Sequence, residues 1–261
     1  MGKRYSGWET TTMSRVTVIC LVEGPSENLF AERLLAPHLS GDYEVDLKAP
    51  IVTTSRDRRR GTLYKGGGRT FLHYLNDLRR IVRQYERQPN IWFTTLLDVY
   101  GLPDDFPQKD KGSTAHDPRE RVDFLENALA ERVRQELADS RGFSRRFIPY
   151  LMLHELETLL FTDLDQMTLI FPDKHQEIEA IKRDVRSFGC DVESINQTRD
   201  GAPSKRIEKQ IRCYGRYKAK GSGGMVNVLE RIGMVRLRKA CPHFNAWITR
   251  LEGLGDKGGN T

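Results

Sequence analysis

The chain contains no long apolar run. Its most hydrophobic stretches, Val16–Val22 and the neighbourhood of Leu96 and Leu97, fall far short of the ~20 residues a helix needs to cross a bilayer, so no membrane partner is expected. Cysteine is sparse: Cys20, Cys190, Cys213 and Cys241 stand at irregular spacing with no Cys-x-x-Cys pair. That pattern argues against a zinc ribbon or a disulfide framework and for reduced thiols in a cytoplasmic protein. No G-x-x-x-x-G-K-[ST] signature occurs, which excludes a P-loop ATPase. The segment Lys218–Gly224 has neither that spacing nor a preceding strand. Repeats and heptads are absent, and low complexity is confined to Gly-rich pieces at 66–68 and 221–224. The first residues lack the apolar core of a signal peptide, and Met13 reads as an alternative translation start. Residues 1–12 and 252–261 are therefore expected to be flexible tails.

What is present is a moderately basic chain of 261 residues, with 42 Lys+Arg against 36 Asp+Glu, a net charge of +6 and 38% hydrophobic residues. That length buries roughly 70–75% of the unfolded surface, enough for one large domain over residues 13–251. Val16-Thr-Val-Ile-Cys-Leu-Val22 is a continuous β-rich run bounded by Gly24-Pro25, the pattern of a strand covered on both faces. Ser26 could cap the helix that follows. Helices are expected over Phe71–Tyr85 and Arg119–Ala138, and strands over Ile91–Leu97 and Phe147–Leu153, with Pro149 marking the last as an edge or irregular strand. Strands alternating with helices imply an α/β fold with a mostly parallel central sheet flanked by helices. Beyond about residue 175 only helices and loops are expected, forming a helical C-terminal cap.

Each strand ends on acids: Glu23 after Val22, Asp98 after Leu97, and His154-Glu155-Leu156-Glu157 after Leu153. In open α/β sheets ligands bind outside the carboxyl ends of strands, so these acids could converge. Converging carboxylates repel unless a cation lies between them, and hard oxygens select Mg²⁺ or Mn²⁺. The bland alternative is that each acid simply sits at a surface turn. Glu155 and Glu157 share a face only if extended, Glu27 could serve the first turn of its helix alone, and a lone His154 at an element boundary is more often structural.

A basic constellation occupies residues 199–220, with eight cations against Asp200 and Glu208. Lys205, Lys209, Arg212 and Arg216 recur at steps of 4, 3 and 4, as one stripe on a helix that Ser204 can cap, with Arg206 and Lys218 beside it; Ile207, Ile211 and Tyr214 form the opposite, apolar stripe. Such a stripe suits a phosphodiester backbone, whereas a plain solvated face is the alternative. Arg58, Arg59, Arg60, Lys65 and Arg69, around Gly66-Gly67-Gly68, form a second candidate nucleic-acid clamp.

The motif Val22-Glu23-Gly24-Pro25-Ser26-Glu27 resembles the opening of the Toprim fold of topoisomerases, primases and overcoming-lysogenization-defect nucleases. Together with Leu97-Asp98-Val99-Tyr100-Gly101-Leu102-Pro103, Pro149–Glu157, Ala202–Ile207 and Cys241-Pro242-His243-Phe244, it makes the chain look like the bacterial Toprim-like family catalogued as domain of unknown function 4276. The resemblance implies a Toprim-like fold, a divalent-metal site and phosphodiester chemistry, often in company with ABC-type ATPases in phage-defence loci. Glu23 matches the fold's acid–base glutamate and Asp98 the first acid of its Asp-x-Asp motif. Tyr100 replaces the second acid, so Glu155 or Glu157 would have to supply that oxygen, and Lys205 would contact the scissile phosphate. The expectation is a Mg²⁺-dependent nuclease on DNA or RNA, with Glu23, Glu27, Asp98, Glu155 and Glu157 as metal residues and Glu23 and Lys205 as catalytic ones; a homo-oligomer is compatible with it. The alternatives are a non-catalytic effector with a degenerate site, or another metal-dependent phosphotransfer.

Overall fold

The computed structural model describes residues 15–57, 62–65, 70–85, 87–112, 117–137, 142–189, 191–195, 201–219 and 223–256. Its sheet contains β1 (Val16–Val22), β2 (Val45–Lys48), β5 (Ile91–Asp98), β6 (Phe147–Ile148) and β7 (Leu151–Met152), while β3 (Thr53–Asp57) and β4 (Thr62–Lys65) pair as a separate antiparallel ribbon. The sheet order is β2-β1-β5-β6, with β7 continuing along β5, and every pairing in it is parallel. Helices among the described residues are α1 (Pro25–Phe30), α2 (Ala36–Asp42), α3 (Phe71–Tyr85), α4 (Lys109–Gly112), α5 (Pro118–Glu136), α6 (His175–Arg186), α7 (Pro203–Gln210), α8 (Tyr214–Ala219), α9 (Gly224–Ile232), α10 (Met234–Ala240) and α11 (Pro242–Asp256). A π-helical turn at Ala31–Leu35 joins α1 to α2. No helix among the described residues is long and apolar enough to cross a membrane.

Alternation along β1 explains why this strand lies inside. Val16, Val18, Cys20 and Val22 pack with α1, α2, α9 and α11 on one face, while Ile19 and Leu21 pack with α3 and α5 on the other. The continuous apolar run thus serves two cores, as a doubly covered parallel strand requires. The strand β2 escaped the sequence reading because Val45-Asp46-Leu47-Lys48 is short and half polar, as an edge position allows. The helix after β1 starts at Gly24 with Pro25 in its first turn, so Ser26 is not the cap. At the other end α11 runs to Asp256 with Leu254 buried, past residue 251 where a tail is expected from sequence.

Pro149 splits the expected third strand into β6 and β7, both still parallel to β5. Thr95 repairs the gap: its buried hydroxyl donates to the Tyr150 carbonyl at 2.8 Å and accepts from the Tyr150 amide at 3.0 Å. Its neighbour Thr94 donates to the Ile148 carbonyl at 2.6 Å and accepts from the Trp247 indole at 2.9 Å. Trp247 also stacks on Tyr150, with centroids 4.0 Å apart, which seats α11 against the sheet. Replacing Thr95 by Val keeps the volume but leaves two buried backbone groups without partners, each costing about 1–3 kcal/mol. Thr95→Val is expected to lower the urea midpoint by an amount of that order, whereas a change within experimental error would show that water replaces the hydroxyl.

Candidate active site at the carboxyl ends of the strands

The parallel register sets Val22 opposite Leu96 and Leu97 opposite Leu151, so β1, β5 and β7 end at one edge. Half-buried Glu23 reaches across this edge, and its Oε2 accepts from the Asp98 amide at 3.3 Å. Room for that carboxylate comes from Gly101: a Cβ there would stand 2.4 Å from Glu23 Oε2 and 2.5 Å from Oε1. Glu27 is buried in the first turn of α1 and folds back on Gly24, where a Cβ would lie 3.1 Å from its Oε2. The Glu23 carboxylate therefore meets the backbone amide of Asp98 at the strand ends, with Glu27 one helical turn behind Glu23.

The two later glutamates are placed differently. Glu155 Oε2 accepts from the Ser204 amide at 3.0 Å, so a carboxylate sits on the first turn of α7, where the helix dipole favours it. The cap residue of α7 is Ala202, followed by Pro203, and Ser204 is the recipient of Glu155 rather than the cap. Glu157 lies within the 3₁₀ segment Leu156–Thr162, fully buried, where the Tyr214 hydroxyl donates to its Oε1 at 3.1 Å. That contact ties it to the C-terminal helices.

Tyr100 and His154 form a pair beside Asp98. The two rings stack with centroids 5.5 Å apart, and the Tyr100 hydroxyl lies 3.2 Å from His154 Nδ1. His154 Nε2 is 2.9 Å from the Glu193 carbonyl, which can only accept; Nε2 therefore carries the proton, and Nδ1 accepts from Tyr100. Burial pulls the His154 pKa down to about 4, with Arg121 and Arg206 adding to the effect, and burial pushes Tyr100 up to about 12. Both groups are neutral at pH 7. His154 adopts φ 66, a left-handed conformation that a non-glycine residue holds only when its surroundings fix it. Glu193 supplies that anchorage: its carboxylate accepts from the His243 and Phe244 amides at 3.0 and 3.1 Å, at the start of α11, and pairs with Arg119.

The basic stripe is not one helix. The α7 helix stops at Gln210, Ile211 takes φ −111 and ψ 82, and α8 begins at Tyr214. The apolar stripe of Ile207, Ile211 and Tyr214 is buried as expected. Acids compensate more of the cations than the sequence suggests: Lys205 pairs with Glu208 at 2.8 Å, while Arg206 pairs with Asp184, donates to the carbonyls of Gly201 and Ile195, and lies over Phe188. Lys209 and Arg212 are exposed. Arg58, Arg59, Arg60 and Arg69 lie outside the described residues, as do the side chains of Lys65, Arg216 and Lys218.

A further group escaped the sequence reading. Asp123, Glu126 and His243 bring donor atoms within 4.8 Å of one another and could hold a metal ion. Glu126 Oε1 accepts from the Leu151 amide at 2.8 Å and lies 3.1 Å from His243 Nε2. The i, i+3 spacing of Asp123 and Glu126 on α5 was a signal for one shared face, but nothing local links them to residue 243.

The unfolded chain protonates histidine near pH 6.5 and the folded chain only near 4, so between these values the unfolded state binds the extra proton and stability falls as pH falls. The full interval corresponds to a few kcal/mol at most, on the order of 1.4 kcal/mol per pH unit. Asparagine tolerates the left-handed backbone and does not titrate. Denaturation of His154→Asn from pH 7.5 to 4.5 is expected to show a shallower loss than wild type, whereas parallel curves would place the acid sensitivity elsewhere.

No curated protein and no solved structure matches the chain. The profile described as Domain of unknown function (DUF4276) matches residues 22–252, from the last residue of β1 to within α11, and on that coverage the chain belongs to the DUF4276 family.

Proposed function

We propose that this chain is a divalent-metal-dependent nuclease that hydrolyses phosphodiester bonds in DNA or RNA at a Toprim-like site on the ends of β1 and β5. The observation that supports the reading is the Glu23 carboxylate lying on the Asp98 amide at the strand ends, in a space kept open by Gly101. Glu23, Asp98 and Glu27 carry hard carboxylate oxygens on adjacent elements, the kind of donor Mg²⁺ or Mn²⁺ prefers; their donor atoms do not gather within 4.8 Å as those of Asp123, Glu126 and His243 do, so an ion there would draw on water and substrate oxygens for much of its shell. Such an ion supplies Lewis-acid polarisation of the phosphate. Glu23 serves as the proton acceptor, and Lys205 and exposed Lys209 and Arg212 on the α7 side hold the nucleic-acid backbone. An ABC-type ATPase partner in anti-phage defence belongs to the same reading and rests on the resemblance alone. Asp123, Glu126 and His243, which include a nitrogen donor, suit Mn²⁺ or Zn²⁺ better than Mg²⁺.

A second reading, a non-catalytic effector that docks nucleic acid or an ATPase, has its own support. The Tyr100 hydroxyl is committed to His154 and a Glu155 oxygen to Ser204, so the oxygens that would complete a Toprim metal set are engaged by the protein.

Plasmid, single-stranded DNA and tRNA incubated with Mg²⁺, Mn²⁺ or EDTA separate the two. Cleavage is expected only with metal, and Glu23→Gln is expected to abolish it at least a hundredfold, because the amide oxygen still accepts from Asp98 while charge and basicity are lost. Full cleavage by Glu23→Gln would sink the proposal, and binding without cleavage by wild type would favour the effector. His243→Ala, made in parallel, reports whether a metal at the α5–α11 group contributes. Gly101→Ala provides a subtler check: its methyl displaces only the flexible end of Glu23. Activity is expected to fall about tenfold or more with an almost unchanged melting temperature; an equally active variant would show that Glu23 works from another position.

A further inference from the structure

Three side chains from two distant helices converge beside β7. Asp123 and Glu126 lie one turn apart on α5, flanking buried Val122 and Leu125, and His243 is the second residue of α11. One donor atom from each falls within 4.8 Å of the others, and His243 Nε2 is 3.1 Å from Glu126 Oε1. Two of the three are held in place by contacts that involve no ion. The His243 amide donates to Glu193 Oε2 at 3.0 Å, and its ring stacks on buried Tyr150 with centroids 5.0 Å apart and planes at 19°. Glu126 Oε1 is fixed by the Leu151 amide at 2.8 Å. Their side chains are only 9% and 12% exposed. Asp123 is exposed and makes no hydrogen bond or ion pair among the described residues, so its carboxylate is free to swing toward the other two.

The charges do not balance within the group. Two carboxylates face one imidazole, whose Nδ1 is buried without a partner and whose Nε2 points at Glu126. Nearly buried carboxylates require compensation, and a divalent cation with a neutral imidazole supplies it in full. One imidazole nitrogen with two carboxylate oxygens is a zinc-type ligand set, unlike the all-oxygen donors near Glu23, and three protein ligands leave a fourth position for water on the exposed Asp123 side.

We propose that Asp123, Glu126 and His243 form a Zn²⁺-class metal site that clamps α5 to the start of α11. The ion takes the place of the proton between Nε2 and Oε1, and the neutral imidazole then carries its proton on Nδ1. The site does not rest on the nuclease reading: Glu126 lies on the Leu151 amide of the outermost strand, whereas Glu23 follows β1, on the other side of β5. Because the ion joins elements more than a hundred residues apart in sequence, its binding stabilises the folded chain.

The test uses the full chain, stripped with EDTA, returned to buffer and titrated with Zn²⁺ or Mg²⁺. Zn²⁺ is expected to raise the melting temperature by about 5 °C at a concentration roughly a hundredfold above its Kd, and Mg²⁺ far less. Competition with a chromophoric chelator gives the Kd. Asp123→Asn breaks no contact of the metal-free protein, and Glu126→Gln still accepts from the Leu151 amide through its side-chain oxygen. Each is expected to weaken Zn²⁺ binding at least tenfold, while metal-free Asp123→Asn melts with wild type. Wild-type affinity in either variant, an equal response to Mg²⁺, or no response of wild type to Zn²⁺ overturns the proposal. Should Glu126→Gln not fold, Asp123→Asn decides alone. Glu23→Gln is expected to keep the full Zn²⁺ response; its loss there would put the ion at the strand ends and overturn the α5–α11 site. Failure of metal-dependent cleavage with the Zn²⁺ response intact would remove the nuclease reading and leave this site standing.

Discussion

The register of β5 between β1 and β7 is the constraint from which the site follows. Parallel strands start at one edge of a sheet and finish at the other, and Val22, Leu96 and Leu151 all approach the finishing edge. Whatever follows those residues is brought together regardless of the tens of residues that separate them in sequence. Glu23, Asp98, Tyr100 and His154 share one small volume for this reason. An antiparallel arrangement of the same strands would have scattered them.

This explains which features were legible beforehand. The strand Val16–Val22 and helix Phe71–Tyr85 agree with their patterns residue for residue, because continuous apolar runs and 3.6-residue periodicity report burial directly. The strand-end acids were legible for the same reason, as positions rather than as contacts. Spacing misled where it assumed an unbroken element: the 4-3-4 recurrence from Lys205 to Arg216 crosses a break at Ile211, and the Glu155–Glu157 pair falls on a turn into a 3₁₀ segment. The Tyr100–His154 pair could not be read at all, since it depends on a left-handed backbone at a histidine and on Glu193, which comes 39 residues later.

Electrostatics separates structural charges from available ones. Arg119 and Arg206 are committed to acids, Lys205 forms an exposed pair with Glu208, and Glu155, Glu157 and Glu193 bond backbone amides or a tyrosine. Much of the charge that makes the chain look like a polyanion binder therefore holds the C-terminal helices in place. Glu193 is the extreme case, since it joins α5, α11 and the turn at His154 through its carboxylate and its carbonyl.

The interruption at Pro149 bears on how the molecule behaves among its own copies. The β6–β7 side is the last strand of the sheet, and an outermost strand normally offers a row of amides on which a second chain can add. Here proline removes one donor, Thr95 takes the Tyr150 amide, and Glu126 takes the Leu151 amide. Three consecutive positions present no free N–H, so strand addition finds no ladder there. The break at Pro149 thus leaves these three positions without a free main-chain donor for a further strand.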